Sequence, residues 1–145
     1  MAIDLKDIVT IAGHSGLFKA IKPTRNGWVV ESLDKHKQRS VKQTQHHEMA
    51  TLEDVGIYTT GEQETLPVAT ILWRLYAEFG GLVNADLYDT PEKLRALMER
   101  IVPDYDSKKV YTSNIKKLFH WYNLLVKYTP ELFTATQESS TNSPQ

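Results

Sequence analysis

The chain has 145 residues, a formal net charge of −1, 41% hydrophobic and 24% charged residues, and no cysteine. Its length fits one domain or two small ones, and its composition is that of an ordinary globular protein. Disulfides, thiolate metal sites and cysteine nucleophiles are excluded, and the near-neutral charge gives no overall preference for nucleic acid or an anionic membrane.

In chain order, Asp4 is placed to cap a short helix with Leu5, Ile8 and Val9 on one face. The start, MAIDLKDIVTIAG, lacks the basic and long apolar regions of a signal peptide, and no apolar run approaches the ~20 residues that span a bilayer. A soluble, cytoplasmic protein with no membrane contact is expected. Gly13 and Gly16 bracket a loop that leads into a hairpin. Its strands are predicted at Leu17–Lys22 and Trp28–Leu33, joined at Arg25-Asn26-Gly27 by a type I′ turn, with Pro23 marking where pairing stops. A third strand is expected near Arg39–Thr44, a helical turn at Thr51–Asp54, and a last short strand at Val55–Thr60. Short strands this closely spaced predict a small barrel.

The composition changes at Gly61-Glu62-Gln63-Glu64, read as a polar linker, and the apolar period becomes that of a helix. Val68, Ile71, Leu72, Leu75, Tyr76 and Phe79 line the first helix, with Pro67 in its first turn and Gly80-Gly81 as its stop. The second has Thr90 as cap, Pro91 as first residue and Leu94, Leu97, Met98 and Ile101 as its stripe. The third begins near Thr112 or Ser113 and carries Ile115, Leu118, Phe119, Tyr122, Leu125 and Val126, widened by Trp121 and Leu124. Pro130 bounds it, and the Ser/Thr/Asn/Gln-rich end is expected to be disordered. The predicted fold is therefore α+β: an SH3-like β barrel over residues 1–60, a bundle of about three helices over 61–135, and a polar tail over 136–145. Trp73 or Trp121 is expected to seal the bundle against the barrel.

The glycine spacing, Asn-Gly turn and Val-Val-Glu of Gly13–Glu31 resemble KOW and other SH3-like modules, which bind RNA or protein. A broader pattern, DLKDIVTIAGHSGLFK, NGWVVESLD, LEDVGIYTT, IVPDYD and VYTSNIKKLFHWYNLL, is similar to an uncharacterised Bacteroidetes family described as a domain of unknown function. The resemblance spans residues 4–128 and implies a bacterial protein with an N-terminal β module and a C-terminal helical module. It implies no activity.

No catalytic or cofactor motif stands out. His46-His47-Glu48 lacks the second histidine of H-E-x-x-H, because that position is Thr51, and adjacent histidines on a strand point to opposite faces. Assembly of a metal site with His14 and His36 is the less favoured reading. Asp104 and Asp106 flank Tyr105, but no calcium loop follows them, so a capped turn is the better account. Gly13-His14-Ser15-Gly16 precedes a strand and so lacks the helix N-terminus of a phosphate loop. No enzyme, metal or cofactor is expected.

What remains is charge and aromatic side chains. Lys19, Lys22, Arg25, Lys35, Lys37, Arg39 and Lys42 face only Glu31 and Asp34, a local excess of five positive charges. Lys guarding the edges of a solvated sheet explains this without function. On the third helix, Lys116, His120, Asn123 and Lys127 form a mildly basic stripe, which is commonly just the wet side of a helix. Two functions are open. The first-ranked is a non-enzymatic module that binds another protein through the barrel and adjoining helices. The alternative is RNA binding, with Lys19, Lys22, Arg25, Lys35, Lys37 and Arg39 on phosphates and Trp28 stacking on a base. A continuous basic face from the hairpin to Lys116 and Lys127 would favour RNA. An apolar patch rimmed by mixed charge would favour protein.

Overall fold

The computed structural model describes residues 4–14, 16–43 and 48–134. The N-terminal half holds β1 (Ile8–Ile11), β2 (Phe18–Pro23), β3 (Gly27–Ser32), β4 (Arg39–Gln43) and β5 (Met49–Thr51). They make one antiparallel sheet in the order β4-β3-β2-β1-β5. A 3-10 turn (Leu52–Asp54) follows, then β6 (Gly56–Tyr58) and β7 (Thr65–Pro67) as a separate two-stranded hairpin. The helical half is α1 (Val68–Phe79), a 3-10 turn (Ala85–Tyr88), α2 (Pro91–Ile101) and α3 (Thr112–Tyr128). The chain is α+β as predicted.

The expected closed barrel is not found. Among the described residues β4 and β5 are the two outer strands and do not pair, and β6, which would have carried the sheet onward, pairs with β7 instead. The expected N-terminal helix is also replaced by a strand. Ile8-Val9-Thr10-Ile11 is an unbroken β-branched run, whose restricted side chains suit a pleated surface better than a helix. As β1 it lies between β2 and β5. The Gly61–Glu64 linker is in fact the tip of the β6–β7 hairpin, closed by Thr59 N–H donating to the Glu64 carbonyl at 2.8 Å. Pro67 ends β7 and serves as the N-cap of α1 instead of entering its first turn.

The β2–β3 hairpin exists, but its turn differs from expectation. A type I′ turn needs positive φ at both central residues. Gly13, Lys37, Glu64 and Gly80 are the described residues with positive φ, so Asn26 and Gly27 do not qualify. Gly27 is needed for close approach. It is buried against β4, where an added Cβ would overlap the Lys42 carbonyl oxygen and sit 2.8 Å from Gln43 Cα.

Register divides the sheet into two faces. Val9 opposes Phe18, Ala20 opposes Val30, Ile11 opposes Met49, and a bulge between Ala20 and Lys22 sets Trp28 opposite Pro23. These apolar residues share a face and form a small cluster around Val9, Ile11 and Val30. The other face turns Ile8, Leu17 and Leu33 into the main core. There they join Leu5 and Leu52 with the stripes of all three helices, so the halves share one continuous core. Trp121 is buried at that junction, and Trp73 is half-buried against the same core.

The helices start and stop as their sequences dictate. Thr90 Oγ1 accepts the Lys93 N–H at 3.2 Å, Gly80 takes the left-handed conformation after α1, and Asn114 Oδ1 accepts the Tyr111 N–H at 2.9 Å. Beyond α3, Thr129 is buried and the chain turns at Pro130 to place Phe133 wholly inside, 4.8 Å from the Tyr76 ring and 5.8 Å from Tyr122. Residues 136–145, expected to be a disordered tail, lie outside the described residues.

Candidate interaction surface

The basic hairpin residues do not converge. Lys19, Glu31 and Arg39 stand side by side across three strands, and Arg39 Nε meets Glu31 Oε1 at 3.3 Å. An acid therefore sits in the middle of the row. Lys22 opposes Val29, while Arg25 is exposed at the turn. Lys35 and Lys37 ride the β3–β4 turn, which Asp34 organises: its Oδ1 accepts Ser32 Oγ–H at 2.9 Å and the amides of His36 and Lys37 at 2.9 and 3.1 Å. The Ser32 hydroxyl foremost, with the two amides adding to it, holds the Asp34 carboxyl below its ordinary value against the opposing effect of burial. Trp28 belongs to the opposite face from Lys19 and Arg39, packed on the small apolar cluster.

Lys116, His120 and Lys127 do come together, with Asn123 among them. α3 presents them toward the segment that joins α1 to α2. Lys116, His120 and Asn123 line a cavity of about 570 Å³ whose floor is Val83, Leu94 and Phe119 and whose far wall carries Asp86 and Asp89. His120, Asn123 and Lys127 line an adjoining hollow of about 520 Å³ with Leu82, Leu124 and Tyr128. The two share Val83, Ala85, His120 and Asn123 and so make one groove along α3. Asn123 fixes the far wall to the helix: its side chain accepts the Val83 N–H at 2.8 Å and donates to the Val83 carbonyl at 2.9 Å. Tyr122 O–H donates to the Gly81 carbonyl at 2.6 Å, and burial first, then the neighbouring Tyr76, pushes that phenol above its ordinary value. Leu82 lines this groove and is 57% exposed, and Leu87 in the same segment, outside the lining, is 61% exposed.

The groove wall was not foreseen from the sequence. Residues 82–89 carry no helical or strand period, and the one available signal was two leucines in a stretch bounded by Gly81 and Pro91. The other candidates stay apart. His14 lies in a cavity beside β1 and β5 that contains neither Asp104 nor Asp106. Asp106 Oδ1 accepts the Lys108 N–H at 3.0 Å and Tyr105 is buried, the capped turn expected. Among the described residues, no group of three or more His, Asp or Glu is gathered to hold a metal ion, and His46 and His47 lie outside them. No helix among the described residues is long and apolar enough to cross a membrane.

Fold and groove together define a mixed α+β chain whose halves correspond to two family segments. A domain of unknown function (DUF5606) matches residues 5–52, and another (DUF6852) matches residues 55–125. A solution NMR structure of a protein from Bacteroides vulgatus, a structural genomics target, superposes with a TM-score of 0.67 at 33% identity. The match covers 86% of this chain and 87% of that one. The chain belongs to the family of that protein. No curated protein matches it.

Proposed function

We propose that this protein is a non-enzymatic interaction module that receives an amphipathic helix of another protein in the groove along α3. The observation that carries this reading is the groove's make-up: an apolar floor of Val83, Leu94 and Phe119, with Asp86 and Asp89 on one wall and Lys116, His120 and Lys127 on the other. A helix lays its apolar stripe on such a floor and its charged flanks on such walls. The stretch from Lys116 to Lys127 runs about 17 Å at 1.5 Å per residue, the length of three helical turns. The β4-β3-β2-β1-β5 order supports reading the N-terminal half as an open SH3-like module, with the sheet serving as the platform that holds α3. Asp34 and Tyr122, the groups with displaced pKa values, are engaged in structural hydrogen bonds, which suits a binder better than a catalyst.

RNA binding is the weaker reading. The hairpin's row of charge is interrupted by Glu31, its Trp28 is on the other face, and Lys116 and Lys127 look toward the 82–90 segment. The test is capture of partners from the native cell by the parent, by Leu82→Glu, which places a charge on the groove lining, and by Lys19→Glu/Arg39→Glu, each with and without nuclease. The reading expects a protein set that survives nuclease and Lys19→Glu/Arg39→Glu but is lost with Leu82→Glu. A set that vanishes with nuclease or with the hairpin variant, while Leu82→Glu retains it, sinks the reading in favour of RNA.

A further inference from the structure

The opposite flank of α3 carries a second feature, independent of the groove. Two cavities of about 210 Å³ each lie there, and Lys117 and Trp121 line both. One is completed by the loop after β1 and by Met49 and Ala50 of β5, the other by Tyr58 and Lys109. Together they form a crevice that crosses Trp121.

Trp121 is 8% exposed, and its indole Nε1 is sealed from solvent without any acceptor, alone among the buried side-chain nitrogens and oxygens of the described residues. A buried donor left unpaired is a standing cost that a phenylalanine at the same place would avoid. Positive charge gathers around it. The Lys117 ammonium rests 5.3 Å from the centre of the Trp121 ring, and the Lys109 ammonium rests 5.2 Å from that of Tyr58. Neither lysine takes part in the ion pairs of the described residues, which involve Lys6, Arg39, Lys93 and Arg100. Among the described residues no acid lines the Tyr58–Lys109 cavity, and the carboxylate nearest in sequence, Asp106, already accepts the Lys108 amide. Among the described residues, the other cavity has one acid, the exposed Glu48 at its rim.

From this we infer that the crevice binds an extended acidic segment of a partner protein. A glutamate or aspartate carboxylate draws Lys117 off the indole face and takes hydrogen bonds from its ammonium and from Trp121 Nε1. A second carboxylate pairs with Lys109. Such charge-assisted bonds are short and strong when desolvated. The backbone has a place as well. Among the described residues β5 pairs only with β1, which leaves its outer edge open for strand addition. A stacked nucleobase fits less well, because Trp121 is nine-tenths buried and its ring is covered by Lys117.

The test follows the three indole N–H resonances of the full chain, from Trp28, Trp73 and Trp121, by nitrogen-15 NMR. The probes are a short alternating Glu–Val peptide with blocked ends, its Gln–Val counterpart, and oligouridine. The Glu–Val peptide is expected to move the Trp121 indole N–H downfield, and the Gln–Val peptide and oligouridine are not. Trp121→Phe keeps an aromatic ring and removes the donor. It should melt no lower than the parent yet bind about tenfold more weakly, as should Lys117→Gln. Leu82→Glu should leave the peptide affinity unchanged, so failure of the groove and failure of the crevice are told apart. An unmoved Trp121 resonance at about 1 mM Glu–Val peptide, equal binding by Trp121→Phe, or a response to oligouridine in place of the peptide each overturns the inference.

Discussion

The sheet half and the helical half are held together by different means. The helices bury a wide apolar stripe each, and their stability is a matter of side-chain volume filled without voids. The sheet sends five leucine and isoleucine side chains from its own strands and turns into that common core, and keeps only Val9, Ile11 and Val30 fully inside its private cluster. Its outer strand β4 depends instead on backbone fit: Gly27 against it, and the Asp34-organised turn that leads into it. The common core is shared by both halves, whereas each backbone fit is confined to the strands that make it. A lesion in the first region should therefore unfold everything, and one in the second should unfold little more than its own strands.

Phe133→Ala gives the largest expected effect. The side chain is wholly buried between Tyr76 and Tyr122, and its removal should cost about 3–5 kcal/mol. Denaturation followed by near- and far-ultraviolet dichroism should show one lowered transition for both signals. Two separated transitions would break the idea of a common core. Gly27→Val should cost on the order of 1–3 kcal/mol, because the branched side chain forces β3 and β4 apart. Hydrogen exchange should then quicken in Gly27–Ser32 and Arg39–Gln43 and stay slow in α1 and α3. Equal quickening in the helices would erase the contrast. Asp34→Ala is the mildest, about 1 kcal/mol for the lost turn bonds. Since the folded carboxyl titrates below its ordinary 3.8, its contribution is present above that pH and fades as the pH falls through the lowered value. Parent and variant should thus converge in stability at strongly acid pH, and an undiminished gap there would refute the assignment.

The helical half was almost fully legible because its signals are local. Thr90-Pro91 opens α2 and Gly80 closes α1 through bonds between residues a turn apart, and the 3.6-residue stripes name the buried side chains directly. The sheet was legible only where a hairpin made its pairing local. β1 looked helical because Leu5, Ile8 and Val9 also fit a helical face, and the pairing with β5, some forty residues away, that decides the matter leaves no mark in the sequence nearby. The same holds for the candidate surfaces. Lys116, His120 and Lys127 could be grouped from spacing on one helix. Their partners Leu82, Val83 and Asp86, and the crevice that joins Tyr58 to Trp121, are brought together by tertiary contacts alone.

Leu52 offers a last consequence, for inheritance. It is wholly buried in the common core at the end of one matched family segment, and Val55, which opens the next, packs against the same core. Recombination at that boundary would hand either half a neighbour whose surface was never cut to receive it. Descendants of such an exchange would fold only if both sides of the seam changed together. The two segments are therefore expected to travel through descent as a pair, and substitutions at Leu5, Leu52 and Trp121 to be matched by substitutions across the seam.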